Sequence, residues 1–383
     1  MYIAIFVLAI AFFIMFHEFG HFATAKLFGM KAERFFLGFG PTLWSTHRGE
    51  TEYGVKAIPA GGFVKISGMS PFEDNDPADR GRLFYEQPAW KRLIVLSAGS
   101  ATHFVAAFLL LFAALAFVGL PDGGEVTTVV DQLEPTGPAA EAGMQPGDEI
   151  VAIDGEAAGD TETIRELLAA REGQTVPVSV VRDGTERELE VALASGQEQD
   201  GQPVYLGVAF SVVGSQTVPL GVADGFREVT RGELSFGRLV SLSLQGIAQV
   251  FSPAGIAGWV DSFGAEERSA EGPVSLVGAG QIVNAFGQSG DLFAVLLVFA
   301  QLNIVLGTLN MLPLPPLDGG HVAALAVEES VNGVRKLRGK RERWLLDPAK
   351  LTPIALAVIL FFGMIFMGAL YLDIVNPASG IIE

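Results

Sequence analysis

The stretch that decides the fold is Tyr2-Ile-Ala-Ile-Phe-Val-Leu-Ala-Ile-Ala-Phe-Phe-Ile-Met-Phe16, followed directly by His17-Glu18-Phe19-Gly20-His21. On a helix, residues four apart lie on one face, so His17 and His21 are placed to bind one metal ion. Glu18 lies beside them and is the candidate base that activates an attacking water. The pattern is typical of zinc proteases, and here it ends an apolar segment.

Residues 1–23 are long and apolar enough to cross a bilayer. The alternative is a secretory signal peptide. No basic region precedes the apolar run and no A-x-A-like cleavage site follows it. We therefore expect a first transmembrane helix that carries the metal motif inside the membrane.

The composition limits the chemistry that is available. The chain has 383 residues, half of them hydrophobic, which suits a membrane protein with a water-exposed insert. It contains no cysteine, which excludes disulfides, thiolate catalysis and cysteine zinc sites. Only five histidines can supply nitrogen ligands, and the net charge of −18 argues against nucleic-acid binding.

Three further apolar segments predict three more transmembrane helices, over 93–119, 291–320 and 352–374. His103 lies inside the second of them. An ionisable residue at that depth is a functional candidate, and the alternative is a hydrogen-bonded packing histidine. The fold class predicted is a polytopic α-helical membrane protein with four transmembrane helices.

The segments between these helices differ in character. Residues 24–92 are rich in glycine and predict short β-hairpins, with a plain cytoplasmic loop as the alternative. Residues 123–212 alternate strand and helix patterns around Asp-Gly turns and predict a compact α+β domain. We expect amphipathic helices over 213–290 and a basic cytoplasmic loop over 321–351.

The basic residues assign sides of the membrane. They are dense in 24–92 and in 321–351, whereas the α+β insert contains no lysine. By the positive-inside rule the basic segments are cytoplasmic and the insert is extracytoplasmic. His17, His21 and Asp318 then lie toward the same, cytoplasmic end of their helices.

Zinc hydrolases use three protein ligands and keep one position open. Asp318 is the favoured third ligand, presented by a turn at Gly319-Gly320 after the helix-breaking Pro313, Pro315 and Pro316. His321 is a competing ligand. Asn310 lies two helical turns before Asp318 and is a candidate for holding substrate backbone or an oxyanion. Zinc is predicted from the ligand types, with another divalent ion left open.

Two resemblances follow from these motifs. Gly137-Pro-Ala-Ala-Glu-Ala-Gly-Met-Gln-Pro-Gly-Asp-Glu-Ile-Val-Ala-Ile-Asp-Gly155 resembles the core of a bacterial, permuted PDZ domain. Such domains add a peptide as a strand to a sheet edge, which here would lie near Tyr205–Val208. The combination of His17-Glu18-x-x-His21 with Asn310-x-x-Pro313-x-x-x-x-Asp318-Gly319 resembles the site-2 protease family of intramembrane zinc metalloproteases, in its bacterial branch with one PDZ domain.

That resemblance implies roles residue by residue. His17, His21 and Asp318 match the family's metal ligands and Glu18 its base. Asn310 and Pro313 match its active-site segment. The hairpins at about Gly38–Met69 look like its cytoplasm-side, membrane-re-entrant β-loop, in which Gly61, Gly62 and Phe63 would receive substrate. Many members carry Gly-Pro-x-x-Asn where this chain has Gly99-Ser100-Ala101-Thr102-His103, so His103 stands where a substrate-binding Asn is expected.

The resemblance also implies substrates and a location. Family members cut single-span membrane proteins such as anti-sigma factors, in the bacterial plasma membrane, after another protease has shortened them. The PDZ domain is implied to exclude bulky substrates or to bind a peptide carboxyl terminus. Two rival functions are a membrane metal carrier and a PDZ scaffold with a decayed metal motif. Glu18 beside His17 and the PDZ-like insert argue against the carrier, and the intact Glu18 and Asp318 argue against the scaffold.

Overall fold

The computed structural model describes residues 1–70, 72, 74–121, 124–134, 137–193, 206–213, 217–263, 273–340 and 342–375. The chain forms two compact units. One comprises Met1–Val118 together with the described residues from Pro219 onward. The other, Gly119–Val218, is inserted between them in the sequence.

Four helices of the first unit are long and apolar enough to cross a membrane, in agreement with the four predicted spans. They are α1 (Tyr2–Leu27), α2 (Ala89–Ala113, continued by a π-helical turn over Ala114–Val118), α9 (Leu292–Asn310) and α11 (Thr352–Val375). The 26 residues of α1 correspond to about 39 Å of helix, which exceeds the roughly 30 Å of a bilayer's hydrocarbon core.

Five further α-helices lie in the described part of this unit: α5 (Gly221–Arg231), α6 (Phe236–Val250), α7 (Pro253–Asp261), α8 (Leu276–Ser289) and α10 (Asp318–Leu337). Gly221–Val250 and Pro253–Val260 are bent by 68° and would make a fifth span if they cross as one. The structure differs from the predicted basic loop over 321–351, because α10 occupies its first half. Val322 and Leu325 of α10 pack beside Ala25 and Val95, which stabilises a helix despite its charged outer face.

The hairpin region consists of two long strands, β1 (Ala32–Arg48) and β2 (Thr51–Ile66), which pair antiparallel with several register shifts. Phe36 is paired with both Phe63 and Gly54, so the first half of β1 lies between two stretches of β2. Trp44 and its neighbours pair with the stretch that begins at Thr51. Ile66 is buried with Ala25, Met30 and Leu96, which attaches the sheet to the helices.

The inserted unit is an α+β domain. Its larger sheet has the order β8-β7-β5-β4-β9, with β6 paired to β5, and β3 pairs with β10 separately. The strands and helices are β3 (Leu120–Pro121), β4 (Glu125–Leu133), α3 (Pro138–Glu141), β5 (Glu149–Ile153), β6 (Glu156–Ala157), α4 (Thr161–Ala169), β7 (Thr175–Arg182), β8 (Thr185–Ala192), β9 (Val208–Val213) and β10 (Thr217–Val218).

Alternating apolar residues form the core of this unit. Val176, Val178 and Val180 alternate along β7 and are buried against Ile164 and Leu168 of α4. Of the predicted peptide-binding edge, Tyr205 lies outside the described residues. Val208 begins β9, which ends the order of the larger sheet.

Small residues let α1 and α2 approach each other where the metal motif lies. A Cβ on Gly20 would be 2.5 Å from the carbonyl oxygen of Ala98, so a side chain there would force the helices apart. In membranes, such close approach is a principal source of helix association. It brings the His17–His21 face of α1 directly against α2.

Candidate metal centre

His17 and His21 lie one turn apart on α1, and both are buried. Their Nε2 atoms are 3.2 Å apart. The Nδ1–H of His21 donates a hydrogen bond of 2.7 Å to the carbonyl oxygen of Val95 on α2. A histidine that donates from one ring nitrogen presents a lone pair on the other, so His21 offers Nε2 to a metal.

Asp318 is the first residue of α10, and its Oδ2 lies 3.4 Å from His17 Nε2 and 3.3 Å from His21 Nε2. Gly319 and Gly320 are helical and buried, so they form the first turn of α10 and not the separate turn predicted from the sequence. A Cβ on Gly319 would lie 2.2 Å from Met311 O, and one on Gly320 would lie 2.4 Å from Pro315 N. Glycine at both positions therefore lets α10 begin close to the end of α9.

The three ligand atoms fit a zinc ion. Three atoms about 2.0–2.2 Å from one zinc at tetrahedral angles are separated by about 3.3–3.6 Å. The separations here are 3.2, 3.3 and 3.4 Å. Two imidazoles and one carboxylate are also a common donor set of catalytic zinc, which keeps its fourth position open. His17, His21 and Asp318 are the group of described residues that could hold a metal ion.

Gly99 of α2 lies against both histidines. A Cβ at this position would be 2.2 Å from His21 Nε2 and 2.6 Å from His17 Nε2. Any side chain here would occupy the space next to the ligand atoms. The next residue, Ser100, is buried, and its hydroxyl lies 3.4 Å from Asp318 Oδ2 as a long hydrogen-bond donor.

Glu18 is partly buried on the side of α1 that faces the hairpin region. A Cβ on Gly62 of β2 would lie 3.1 Å from Glu18 Cγ and from Met15 Sδ. The backbone of Val64 contacts the Glu18 carboxylate. The end of β2 thus passes directly beside the candidate base.

The other predicted substrate residues lie on β2 and at or just after the end of α9. Gly61 has a φ of +137° and packs against the Phe39 ring, whereas Phe63 stacks on Phe36 with ring centroids 5.6 Å apart. Of the predicted Gly61-Gly62-Phe63 set, Gly62 contacts Glu18. Asn310 is half-buried at the last position of α9, and Pro313 is exposed.

Two of the three histidines outside the ligand set, His103 and His321, have distinct surroundings. The ring of His103 lies 5.1 Å from the ring of His17, and its Nδ1 bonds Asn303. His321, the competing ligand, lines a cavity of about 50 Å³ together with Arg92 and Glu328. It is not a member of the ligand cluster.

Four residues of the centre were not identified as functional from the sequence: Val95, Gly99, Ser100 and Asn303. Gly99 and Ser100 entered only as part of the stretch that stands where many family members carry Gly-Pro-x-x-Asn, without a role of their own. Of these four residues, Asn303 could most easily have been identified from the sequence, because a polar side chain in the middle of an apolar span needs a partner. The contribution of Val95 is a backbone carbonyl, which no residue type reveals.

Comparison with known proteins gives a family for this centre. The model of peptidase family M50 matches residues 5–341. Zinc metalloprotease Rip1 of Mycobacterium bovis is 36% identical over 402 residues, covering 98% of this chain and 97% of that protein. The Rip1 of Mycolicibacterium smegmatis is 34% identical over 406 residues, covering 98% of each.

Part of the chain is also similar to solved structures. The PDZ domain of an SdrC-like protein from Listeria innocua is 21% identical and covers 22% of this chain and 92% of that domain, with a TM-score of 0.20. A solution structure from Geobacillus thermodenitrificans is 29% identical and covers 22% of this chain and 95% of that chain, with a TM-score of 0.19.

The family match spans both halves of the metal centre, from the helix with His17, Glu18 and His21 to the helix start at Asp318. The full-length relatives are named zinc metalloproteases, and the donor set of this chain fits zinc. The four candidate spans place it among membrane proteins. The chain belongs to peptidase family M50, the site-2 protease family, and is an intramembrane zinc metalloprotease.

Proposed function

We propose that this protease cuts single-span membrane proteins within their transmembrane segment, with Glu18 as its catalytic base and His17, His21 and Asp318 as its zinc ligands. The observation that carries the proposal is the convergence of three ligand atoms within 3.4 Å of one another. Glu18 follows the first of these ligands in the sequence and contacts a sheet that could hold a substrate.

Zinc at these ligands would polarise the scissile carbonyl and lower the pKa of a water to about 7. Glu18 takes a proton from the attacking water and passes it to the leaving amine. Its carboxylate is placed for this because Glu18 lies on the same helix as His17 and packs against Gly62. The space between Glu18 and Gly62 is too small for a side chain at position 62. Asn310 donates from its amide to the substrate backbone or to the developing oxyanion.

The substrate strand binds along β2. Residues Gly62–Lys65 pair with Arg34–Leu37 on one edge. Within the described part of the chain no strand pairs with their other edge. A transmembrane helix shields its own peptide bonds, so cleavage needs local unwinding. A free strand edge beside Glu18 would capture the unwound backbone by main-chain hydrogen bonds.

The site lies toward the cytoplasmic side of a bacterial plasma membrane, and the inserted unit is extracytoplasmic. The distribution of basic residues supports this arrangement, since Arg335, Lys336, Arg338 and Lys340 follow the site on α10 or just after it. The insert, in contrast, has no lysine. Substrates of the anti-sigma-factor type fit, because they are single-span and are shortened outside before cleavage.

The inserted unit selects substrates through its PDZ-like edge strand. β9 ends the order of its sheet and pairs with β4. The carboxyl terminus of a peptide could pair with β9 and extend the sheet by one strand. Removal of a bulky outer domain from a substrate would create such a terminus.

The test is cleavage of a tagged single-span substrate in a bacterial membrane by wild-type and Glu18→Gln chains. We expect the variant to lose at least about a hundredfold in rate while it keeps stoichiometric zinc, since Glu18 is not a ligand. Glu329→Gln is the control, because it alters a carboxylate on α10 that pairs with Arg343, far from the ligand set. Cleavage by Glu18→Gln at the wild-type rate would contradict the proposed mechanism.

A further inference from the structure

His103 and Asn303 form a buried polar pair between two membrane-spanning helices. His103 lies on α2 and is 4% exposed, and Asn303 lies on α9 and is fully buried. The Nδ1 of His103 and the Oδ1 of Asn303 are 2.8 Å apart. Gly307 makes room for the pair, since a Cβ there would lie 3.2 Å from the Cβ of His103. Buried polar groups in a membrane are costly, so this pair calls for a function.

The second hydrogen bond of Asn303 determines which way its amide points. Its Nδ2 donates to the carbonyl oxygen of Phe299 at 2.8 Å, one turn earlier on α9. A carbonyl oxygen can only accept, so the atom that faces Phe299 must be the NH2 group. The oxygen Oδ1 then faces His103, where it can only accept a hydrogen bond.

The same reasoning extends to the histidine. Since Oδ1 of Asn303 accepts, the Nδ1 of His103 must carry the hydrogen. In a neutral imidazole only one nitrogen is protonated, so Nε2 retains its lone pair. Asn303 therefore holds His103 in the tautomer that can accept a hydrogen bond through Nε2. The His103 ring lies 5.1 Å from the ring of the ligand His17.

We infer that Asn303 is a positioning residue that fixes His103 as the Nδ1–H tautomer, and that His103 Nε2 accepts a hydrogen bond from a backbone N–H of the substrate beside the metal centre. A peptide unwound for cleavage exposes N–H groups that have lost their helical partners. An acceptor on α2 beside the ligand His17 would satisfy one of them. This inference rests on the proposed function for the identity of the donor, whereas the tautomer itself does not depend on it.

Asn303→Ser separates the two bonds of Asn303. A serine hydroxyl in a helix can bond the carbonyl four residues earlier, so the contact to Phe299 is retained. The hydroxyl is too short to reach His103 on the neighbouring helix. His103→Phe keeps the ring volume and removes both nitrogens. The two single variants and the double variant form a double-mutant cycle.

The first measurement is the tautomer, read from imidazole ¹⁵N resonances of the zinc-free, histidine-labelled full chain at mildly alkaline pH. His103→Phe assigns the signal, because the chain has only five histidines. We expect wild-type His103 to be protonated at Nδ1, and Asn303→Ser to give a mixture of tautomers. Protonation of wild-type His103 at Nε2 would overturn the inference, whatever the activity of the chain.

The second measurement is cleavage of a single-span substrate, with bound zinc measured in parallel. Loss of one neutral hydrogen bond predicts a decrease of about three- to tenfold in kcat/KM for each single variant, with zinc unchanged. The double variant is expected to equal His103→Phe, because Asn303 acts through His103. Additive losses, or full activity of folded His103→Phe, would contradict the role of His103. Absence of wild-type cleavage would instead contradict the proposed function and leave the tautomer result standing.

Discussion

The Cα of Gly99 faces His21 so closely that a methyl group on it would lie 2.2 Å from the Nε2 ligand atom. The same methyl group would lie 2.6 Å from His17 Nε2. Gly99 therefore bounds the metal site with its backbone, because it has no side chain that would fill the space beside the ligand atoms. It also explains how α2, which provides none of the three ligands, packs directly against the ligand atoms of α1.

We predict that Gly99→Ala prevents zinc binding and abolishes cleavage. The added methyl group overlaps the position of both histidine ligand atoms, and the backbone of α2 cannot shift easily because Gly20 already contacts Ala98. Zinc per chain, measured on the purified protein, should fall well below one. Gly363→Ala on α11 is the matched control, since a Cβ there meets nothing within 4 Å. Equal zinc content in the two variants would show that the site tolerates the methyl group.

The third ligand is tested by comparing two neighbours on α10. Asp318→Ala removes an atom within 3.4 Å of both histidine ligand atoms, and we expect loss of zinc and of cleavage. His321→Ala removes the alternative ligand, which lies outside the cluster, and we expect zinc to remain. In the wild type, a chelator should abolish cleavage and added zinc should restore it. Zinc loss in His321→Ala with zinc retained in Asp318→Ala would show that His321, and not Asp318, is the third ligand.

Gly62→Ala tests whether the sheet must approach Glu18. A Cβ at this position is 3.1 Å from Glu18 Cγ, so β2 would have to move by a few tenths of an ångström or displace the carboxylate. We expect kcat to fall by about tenfold or more, since a misplaced catalytic group lowers the rate of the chemical step. Zinc binding should be unchanged. Ala57→Ser on the same strand is exposed and should leave the rate unaltered. A wild-type rate for Gly62→Ala would argue against the close placement of β2.

The stability of the inserted unit should depend on pH through Asp148. This carboxylate is buried, accepts two hydrogen bonds from Arg182 at 2.6 and 2.7 Å and one from the backbone of Gln145 at 2.8 Å. The Arg182 guanidinium, and to a smaller extent the Gln145 N–H, hold the pKa of Asp148 below its usual range. In the unfolded chain its pKa is about 3.9.

The sign follows from the lowered pKa. Above about pH 5 the carboxylate is ionised in both states, and the full stabilisation is present. As the pH falls through 4 and toward the folded pKa, the unfolded state takes up the proton first and the stabilisation is lost. Amide protection factors in β5 and β7 of the full chain should therefore decrease between about pH 5 and 3. Asp148→Asn should flatten this dependence, and Glu188→Gln, which is exposed, should not.

Local patterns in the sequence were sufficient to predict the membrane spans and the part of the metal site that lies on α1. The distance between His17 and His21 is a property of any helix, and the length of an apolar run is a property of the bilayer. The preference for Asp318 over His321 rested on the turn expected at Gly319-Gly320. In the structure Asp318 lies in the cluster with His17 and His21, and His321 does not. The helical form of 318–337 was missed because its charged residues obscured the apolar face with Val322 and Leu325.

By itself, the sequence determined which residue types could hold zinc and activate water, because that chemistry and the helical period are local. The tertiary structure alone decided which backbone and small-residue contacts complete the centre. The carbonyl of Val95, the bare Cα of Gly99 and the amide of Asn303 belong to other helices than α1. Their roles arise from how closely those helices pack, and close packing depends on contacts between residues far apart in the chain.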